Sequence, residues 1–123
     1  MIKTEVKSYK DYGNVLSVSN GLIEAYITVD VGPRIIKFGF KDGINVMNDN
    51  RNVTEPKCDA EFENFFGKGK QWEILGGHRI WTSPESYPEC YYPDTDPVEY
   101  EITENGAIFT PKAETENGFQ KTT

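Results

Sequence analysis

The residues best suited to chemistry lie in one short segment, Leu75 to Glu85, which reads LGGHRIWTSPE. His78 is the only histidine of the chain, and Glu85 ends the segment. A histidine ordinarily titrates near neutral pH, so it can act as a general acid with a carboxylate as its partner. We therefore take His78 and Glu85 as the candidate catalytic pair. A structural histidine that bonds a carbonyl in the glycine turn is the alternative.

Two arginines stand close to glycines, Arg34 in the stretch DVGPR and Arg79 directly after His78. The planar guanidinium presents a fork of donors that grips a carboxylate or vicinal hydroxyls. An ion pair with one of the 20 acidic residues is the alternative role. If residues 78–82 form a strand, alternation places His78 on one face and Arg79 with Trp81 on the other, so only one face meets a pocket.

Aromatic side chains are dense between residues 72 and 100. Aromatic faces attract the C–H side of sugar rings, and tyrosine hydroxyls bond sugar oxygens. Core packing is the alternative for Trp72 and Trp81, although Trp81 stays a candidate ligand contact. A proline-rich loop is hard to bury, so its tyrosines are the better candidates for substrate binding: Tyr87, Tyr91 and Tyr92.

Metal and cofactor chemistry find little support in the sequence. The loop carboxylates are interpreted as solvated charge, because the spacing DTD at 94–96 is too short a signal for calcium. Cys58 and Cys90 lack both a CxxC spacing and a histidine pair, which predicts reduced thiols rather than a zinc site. No nucleotide-binding or phosphate-binding fingerprint is present. The sequence therefore predicts no metal and no cofactor.

Composition limits the possible partners. The 123 residues carry a net charge of −7, with no basic cluster that could neutralise phosphates, so nucleic acid and anionic membrane surfaces are disfavoured. A neutral sugar fits this charge better. No apolar run approaches the roughly 20 residues that span a bilayer. The amino terminus lacks the pattern of a secretory signal, so we expect a cytoplasmic protein.

The elements that must position these side chains are predicted to be strands. Alternating runs flank Asn20-Gly21, and Asn-Gly between such runs predicts a hairpin with a type I′ turn, in which both residues have positive φ. Further tight turns separate the other apolar runs. Strands are predicted at 15–19, 22–29, 35–40, 44–47, 72–75, 78–82, 98–103 and 107–114.

Two irregular connections interrupt this pattern. Residues 48–70 form a long polar connection in which AEFENFF predicts one or two helical turns and the triplet NVT at Asn52 is interpreted as loop. Residues 83–97 contain four prolines, which excludes a helix interior and a central strand. We predict one all-β domain over residues 1–123, an antiparallel β-sandwich of about eight to ten strands.

The order of several motifs resembles a known family. NGLIEAYITVDVGPRIIKFGFKDGINVM, then GGHRIWTSPE, then YYPDTDPVEYEITENG, resembles the galactose mutarotase-like (aldose 1-epimerase-like) superfamily, and most closely a branch of it. The resemblance spans roughly residues 20 to 118. It implies a β-supersandwich that binds a sugar on a concave face, with Arg79 as a sugar contact.

In these enzymes a histidine protonates the ring oxygen and a glutamate from the carboxy-terminal half acts as base. The chain is about half the usual family length, so we expect it to correspond to the amino-terminal half only, and neither Glu85 nor Glu89 matches that glutamate by order. Missing strands would leave sheet edges and an apolar face exposed, which favours a homodimer.

Three functional hypotheses follow from the sequence. The first is a carbohydrate-binding protein without a complete catalytic site. The second is an aldose 1-epimerase, an isomerase that interconverts sugar anomers through His78 and a carboxylate such as Glu85. The third is a truncated structural remnant without activity.

Overall fold

The computed structural model describes residues 1–52 and 55–123. The end of the NVT triplet, Val53 and Thr54, lies outside the described residues. Antiparallel strands dominate the regular structure, so the predicted all-β class is confirmed. In chain order the elements are β1 (Lys3–Ser8), β2 (Asn14–Ser19), β3 (Ile23–Thr28), β4 (Ile35–Phe40), α1 (Ala60–Phe66), β5 (Glu99–Thr103) and β6 (Gly106–Thr110).

A four-stranded antiparallel sheet in the order β1-β2-β3-β4 forms the first half. Consecutive residues of its central strands point to opposite faces, and both faces are covered. On β2, Val15 and Leu16 are both fully buried. One face carries the first core cluster, formed by Tyr12, Val15, Tyr26, Val31, Ile36 and Leu75. The other carries the second core cluster, formed by Leu16, Ile27, Val29, Val98 and Phe109.

The second sheet is the β5-β6 hairpin, which the runs around Glu104-Asn105-Gly106 predict correctly. Phe109 of β6 is buried in the second core cluster beside Leu16 and Ile27 of the first sheet. The two sheets therefore share a core, while the predicted sandwich packing stays a prediction. In the part of the chain that the structure describes, no helix has the length and apolar character needed to cross a membrane.

The β2-β3 hairpin is present as predicted, but its turn differs. Gly21 has a positive φ of 93°, whereas Asn20 does not have positive φ. The Asn20 side chain instead accepts hydrogen bonds from the backbone N–H groups of Leu22 (3.0 Å) and Ile23 (2.8 Å). The prediction of a type I′ turn was wrong because the asparagine side chain closes a wider turn itself.

Six strands form among the described residues, fewer than the eight to ten predicted. Residues 44–47 do not become a strand because the Asn45 side chain occupies the β4 edge. Its amide donates to Ile36 O (2.9 Å) and accepts from Phe38 N (3.1 Å), so it satisfies the backbone groups that a neighbouring strand would use. Residues 72–75 and 78–82 make single bridges only, Lys57 to Trp72 and Ile35 to His78.

Helix α1 forms where the sequence predicts it. The Asp59 side chain accepts a hydrogen bond from Phe62 N at 2.8 Å and so caps the first turn. Phe62 and Phe66 are buried, while Phe65 stays 39 % exposed, so two of these three phenylalanines anchor the helix. Gly67, at a φ of 112°, ends it. The proline-rich residues 83–97 form neither helix nor strand, as predicted.

Tyr12 generates a stability prediction. Its ring is buried in the first core cluster, and its hydroxyl donates to Leu75 O at 2.5 Å. Tyr12→Phe leaves that carbonyl without a partner, so we expect a loss of about 1–2 kcal/mol in the free energy of unfolding at pH 7. Tyr100→Phe is the matched control, because the Tyr100 side chain is 38 % exposed, and it should change the free energy by less than about 0.5 kcal/mol. Urea unfolding measures both.

The difference in the free energy of unfolding between wild type and Tyr12→Phe depends on pH. Burial raises the pKa of Tyr12 to about 12, whereas a tyrosine in the unfolded chain ionises near about 10. The unfolded state therefore loses its proton first, and stability falls as pH rises from 10 towards 12. We expect the gap between wild type and Tyr12→Phe to be smaller at pH 11 than at pH 7. An equal gap at both pH values would contradict the assignment.

Candidate functional site

Several of the predicted site residues meet in one groove of about 390 Å³. The volume falls within the range of about 300–1,000 Å³ that is typical of small-molecule sites. We define the groove by its polar and aromatic side chains, which are Arg34, Trp72, Glu73, His78, Arg79 and Trp81. It thus unites four predicted residues with two that were not predicted as ligand contacts.

Gly76 and Gly77 set the course of the chain through the groove. Both have positive φ, 86° and 62°, and both pass very close to other backbone. A Cβ atom on Gly76 would lie 2.4 Å from Asn48 O, and one on Gly77 would lie 2.3 Å from Ile35 O. Only glycine fits such an approach. This close approach brings His78 against β4. The His78 N–H donates to Ile35 O and the Ile35 N–H donates to His78 O, each at 3.0 Å.

His78 is exposed on the groove wall. Among the described residues its imidazole has no hydrogen-bond partner. The alternative, in which the ring bonds a carbonyl in the glycine turn, is therefore not observed. Both His78 and Arg79 line the groove, because residues 78–82 do not form the regular strand on which the prediction of opposite faces depended. Regular alternation ends at the Ile35 bridge, because the glycines and Pro84 prevent a continuous strand here.

Arg34 takes the structural role that was the alternative to ligand binding. It is only 4 % exposed, and its Nη2 lies 2.6 Å from the Asp94 carboxylate. Nη1 also donates to Pro33 O at 2.9 Å. The interpretation of Asp94 as solvated loop charge was therefore wrong. Asp96 is closer to that description, because its pair with Lys112 is exposed.

The guanidinium of Arg79 contacts two indole rings. Its guanidinium carbon lies 5.5 Å from the ring centre of Trp72 and 4.6 Å from that of Trp81. Nη1 donates to Cys90 O at 2.8 Å. Arg79 and Trp81 thus share a face, as predicted. The packing also lowers the pKa of Arg79, first through burial and then through the positive charge of Arg34.

The two tryptophans do not simply fill the core. Trp81 is 46 % exposed, so core packing does not explain it. Trp72 is partly buried, and its indole Nε1–H finds no acceptor among the described residues. A buried donor without a partner is costly in a folded protein unless water or a ligand supplies the acceptor. The indole N–H is thus a buried donor that the described side chains leave unpaired.

Glu85 lies apart from the groove. It is exposed, and its carboxylate accepts a hydrogen bond from the Tyr91 hydroxyl, which raises the pKa of Tyr91. The side chains that line the groove include His78 but not Glu85. The structure therefore does not join the predicted catalytic pair. Glu73 is the carboxylate that lines the groove with His78, and it is held by Arg51 at 2.9 Å.

The three loop tyrosines form an aromatic layer between the groove and α1. Tyr91 packs edge-on to Trp72 at 5.1 Å and lies 6.2 Å from Tyr87. Tyr92 packs on Phe66 at 5.9 Å. All three tyrosines are partly buried. Tyr91 thus contacts the groove through Trp72, while the other two support α1.

Sequence reasoning missed Glu73 and Asn48. Glu73 follows Trp72 and stands three positions before Gly76, so its place in the same short segment was a usable signal. Asn48 comes from the irregular connection between β4 and α1, and its carbonyl accepts from Gly77 N at 2.6 Å. Nothing local predicts that long-range contact. Among residues 1–52 and 55–123, no group of acidic, histidine or cysteine side chains could hold a metal ion. Cys58 and Cys90 are free thiols.

The Arg34–Asp94 pair gives a second stability prediction. Asp94→Ala leaves the buried Arg34 charge without its carboxylate, so we expect a loss of about 2–4 kcal/mol in the free energy of unfolding. Asp96→Ala removes the exposed pair with Lys112 from the same loop and should cost less than about 1 kcal/mol. Denaturant unfolding of the two variants checks this, and equal losses would contradict it.

The chain matches no family model, no curated protein and no solved structure. The resemblance to mutarotase-like proteins therefore remains an expectation from the sequence motifs.

Proposed function

We propose that the protein binds a saccharide in the groove. The observation that carries this proposal is the contact of Arg79 with Trp72 and Trp81, because it sets the half-exposed Trp81 ring beside a guanidinium whose donors are largely free. Sugar rings need this combination, since their C–H faces pack on aromatic rings while their hydroxyls require directed hydrogen bonds.

The neighbouring side chains support the same ligand class. The His78 imidazole is exposed in the groove and has no protein hydrogen-bond partner among the described residues, so it can bond ligand oxygens. Glu73 adds acceptor oxygens on the same wall. The motif resemblance to sugar-binding enzymes is in agreement with this chemistry. Binding without catalysis is the simplest function for these side chains.

Trp81→Ala tests the proposal. Removing the half-exposed indole should weaken binding of the best ligand from a panel of mono- and disaccharides by about tenfold, which is about 1.4 kcal/mol. Tyr100→Ala removes an exposed aromatic ring from β5, outside the groove, and should leave the affinity unchanged. Titration calorimetry measures both. No binding of any sugar by the wild-type protein would refute the proposal.

Anomer interconversion is the second candidate, supported by the presence of Glu73 and His78 in one groove. In this reaction a carboxylate removes the proton of the anomeric hydroxyl while the C1–O5 bond breaks and O5 takes a proton from histidine. Rotation about the C1–C2 bond then presents the other face of the aldehyde, and O5 attacks C1 again while the proton transfers reverse, which gives the other anomer. Glu73 rather than Glu85 is the base that this groove offers.

Exchange NMR spectroscopy on the same sugar panel tests this second candidate. If the reaction occurs, His78→Ala and Glu73→Gln should both reduce the rate of α/β exchange at least about a hundredfold, towards the uncatalysed rate. Glu85→Gln should leave the rate unchanged, because this residue bonds Tyr91 outside the groove. Binding without accelerated exchange would reject catalysis and leave the binding proposal standing.

A further inference from the structure

The charges of the groove are not balanced. Three basic side chains line it, Arg34, His78 and Arg79, against one carboxylate, Glu73. Arg34 is paired with Asp94 at 2.6 Å, and Glu73 is paired with Arg51 at 2.9 Å. Arg79 has no carboxylate within 4.0 Å in the described part of the chain. The guanidinium of Arg79 is therefore the charge of the groove without an ion-pair partner of its own, and Asp94, which is paired with Arg34, offsets it only in part.

This unpaired charge sits in an unfavourable place. Arg79 is partly buried between Trp72 and Trp81, and burial of a charge costs free energy unless an opposite charge accompanies it. The nearby positive charge of Arg34 adds to the cost, and both effects lower the pKa of Arg79. An anion in the groove would remove the imbalance that the protein itself leaves.

The orientation of the guanidinium suits such an anion. Contacts with two indole rings hold the guanidinium, and its Nη1 donates to Cys90 O at 2.8 Å. Its other N–H groups donate to no protein atom among the described residues. An arginine held in this way binds the paired oxygens of a carboxylate or a phosphate in a bidentate manner, which a neutral hydroxyl cannot reproduce.

We propose that the saccharide bound in the groove carries an anionic oxyacid group, the carboxylate of a uronic acid or the phosphate of a sugar phosphate, which pairs with Arg79. The inference rests on the proposed function and names its substrate class. It replaces the neutral sugar expected from the net charge of −7. Distant surface charge is screened over about 8 Å at physiological ionic strength, so the local cations decide the ligand.

Calorimetric titration of the full chain with matched sugars tests this inference. The panel contains the gluco, galacto and manno series, each as the neutral hexose, the uronate and the 6-phosphate. We expect one charged form to bind at least about tenfold more tightly than its neutral counterpart. The uronate and phosphate arms identify which of the two groups is the natural one.

Variants at Arg79 locate the effect. Arg79→Gln should abolish the preference, so that the charged and neutral sugars bind with a ratio of affinities of about one. Arg79→Lys keeps the charge but loses the planar set of donors, and it should retain part of the preference. Lys41→Gln removes one positive charge from the exposed turn after β4 and should keep the full preference. Circular dichroism checks folding, and Arg79→Lys carries the test if Arg79→Gln does not fold.

The possible outcomes separate the two proposals. Equal affinity for charged and neutral sugars overturns the anionic ligand and leaves saccharide binding in place. A preference for charged sugars that survives in both Arg79 variants also overturns it, because another residue would then hold the anion. Failure of every sugar in the panel to bind overturns both proposals.

Discussion

The buried guanidinium of Arg34 is the interaction on which the rest of the site depends. It lies between the turn after β3 and the proline-rich loop, and its ion pair with Asp94 joins the two. The backbone of Asp94 strengthens the junction, because its carbonyl accepts from Gly32 N at 2.9 Å. A loop with four prolines has few backbone hydrogen bonds of its own, so this junction determines where it lies.

The same ion pair explains the character of Arg79. Two guanidinium groups line one groove, and the carboxylate of Asp94 is committed to the deeper of them. The second is held by aromatic faces and a backbone carbonyl, contacts that fix its direction without neutralising it. Structural pairing of one arginine thus leaves the other available to a ligand. The two arginines differ in role because the proline-rich loop places Asp94 beside Arg34.

Local signals predicted much of the fold from the sequence. Alternation around Asn20-Gly21 and before Gly106 predicted both hairpins, and a capping aspartate before AEFENFF agrees with helix α1. Prediction failed where side chains took over backbone pairing, as Asn45 does at the β4 edge. An alternating pattern at 78–82 exists in the sequence, but only His78 pairs with β4, at Ile35, because the Asn45 side chain occupies the adjoining part of that edge.

The candidate site was less predictable. Residues of one segment, from Trp72 to Trp81, were found by their density, and the structure keeps most of them in the groove. The separation of Glu85 from His78 was not visible, because it depends on the path of the proline-rich loop. The burial of Arg34 was equally hidden, since Asp94 is distant in sequence. Local pattern gives the composition of the site, whereas its charge balance is a property of long-range contacts.

The two glycines before His78 have a consequence for how this site can diversify. Backbone oxygens lie where a side chain at Gly76 or Gly77 would have to be, so neither position can vary without moving β4 or the chain at Asn48. Trp81, by contrast, projects outward and can be exchanged at little cost to the scaffold. Evolution or a protein engineer can therefore alter ligand choice at the outer positions, while the glycine pair keeps the frame constant.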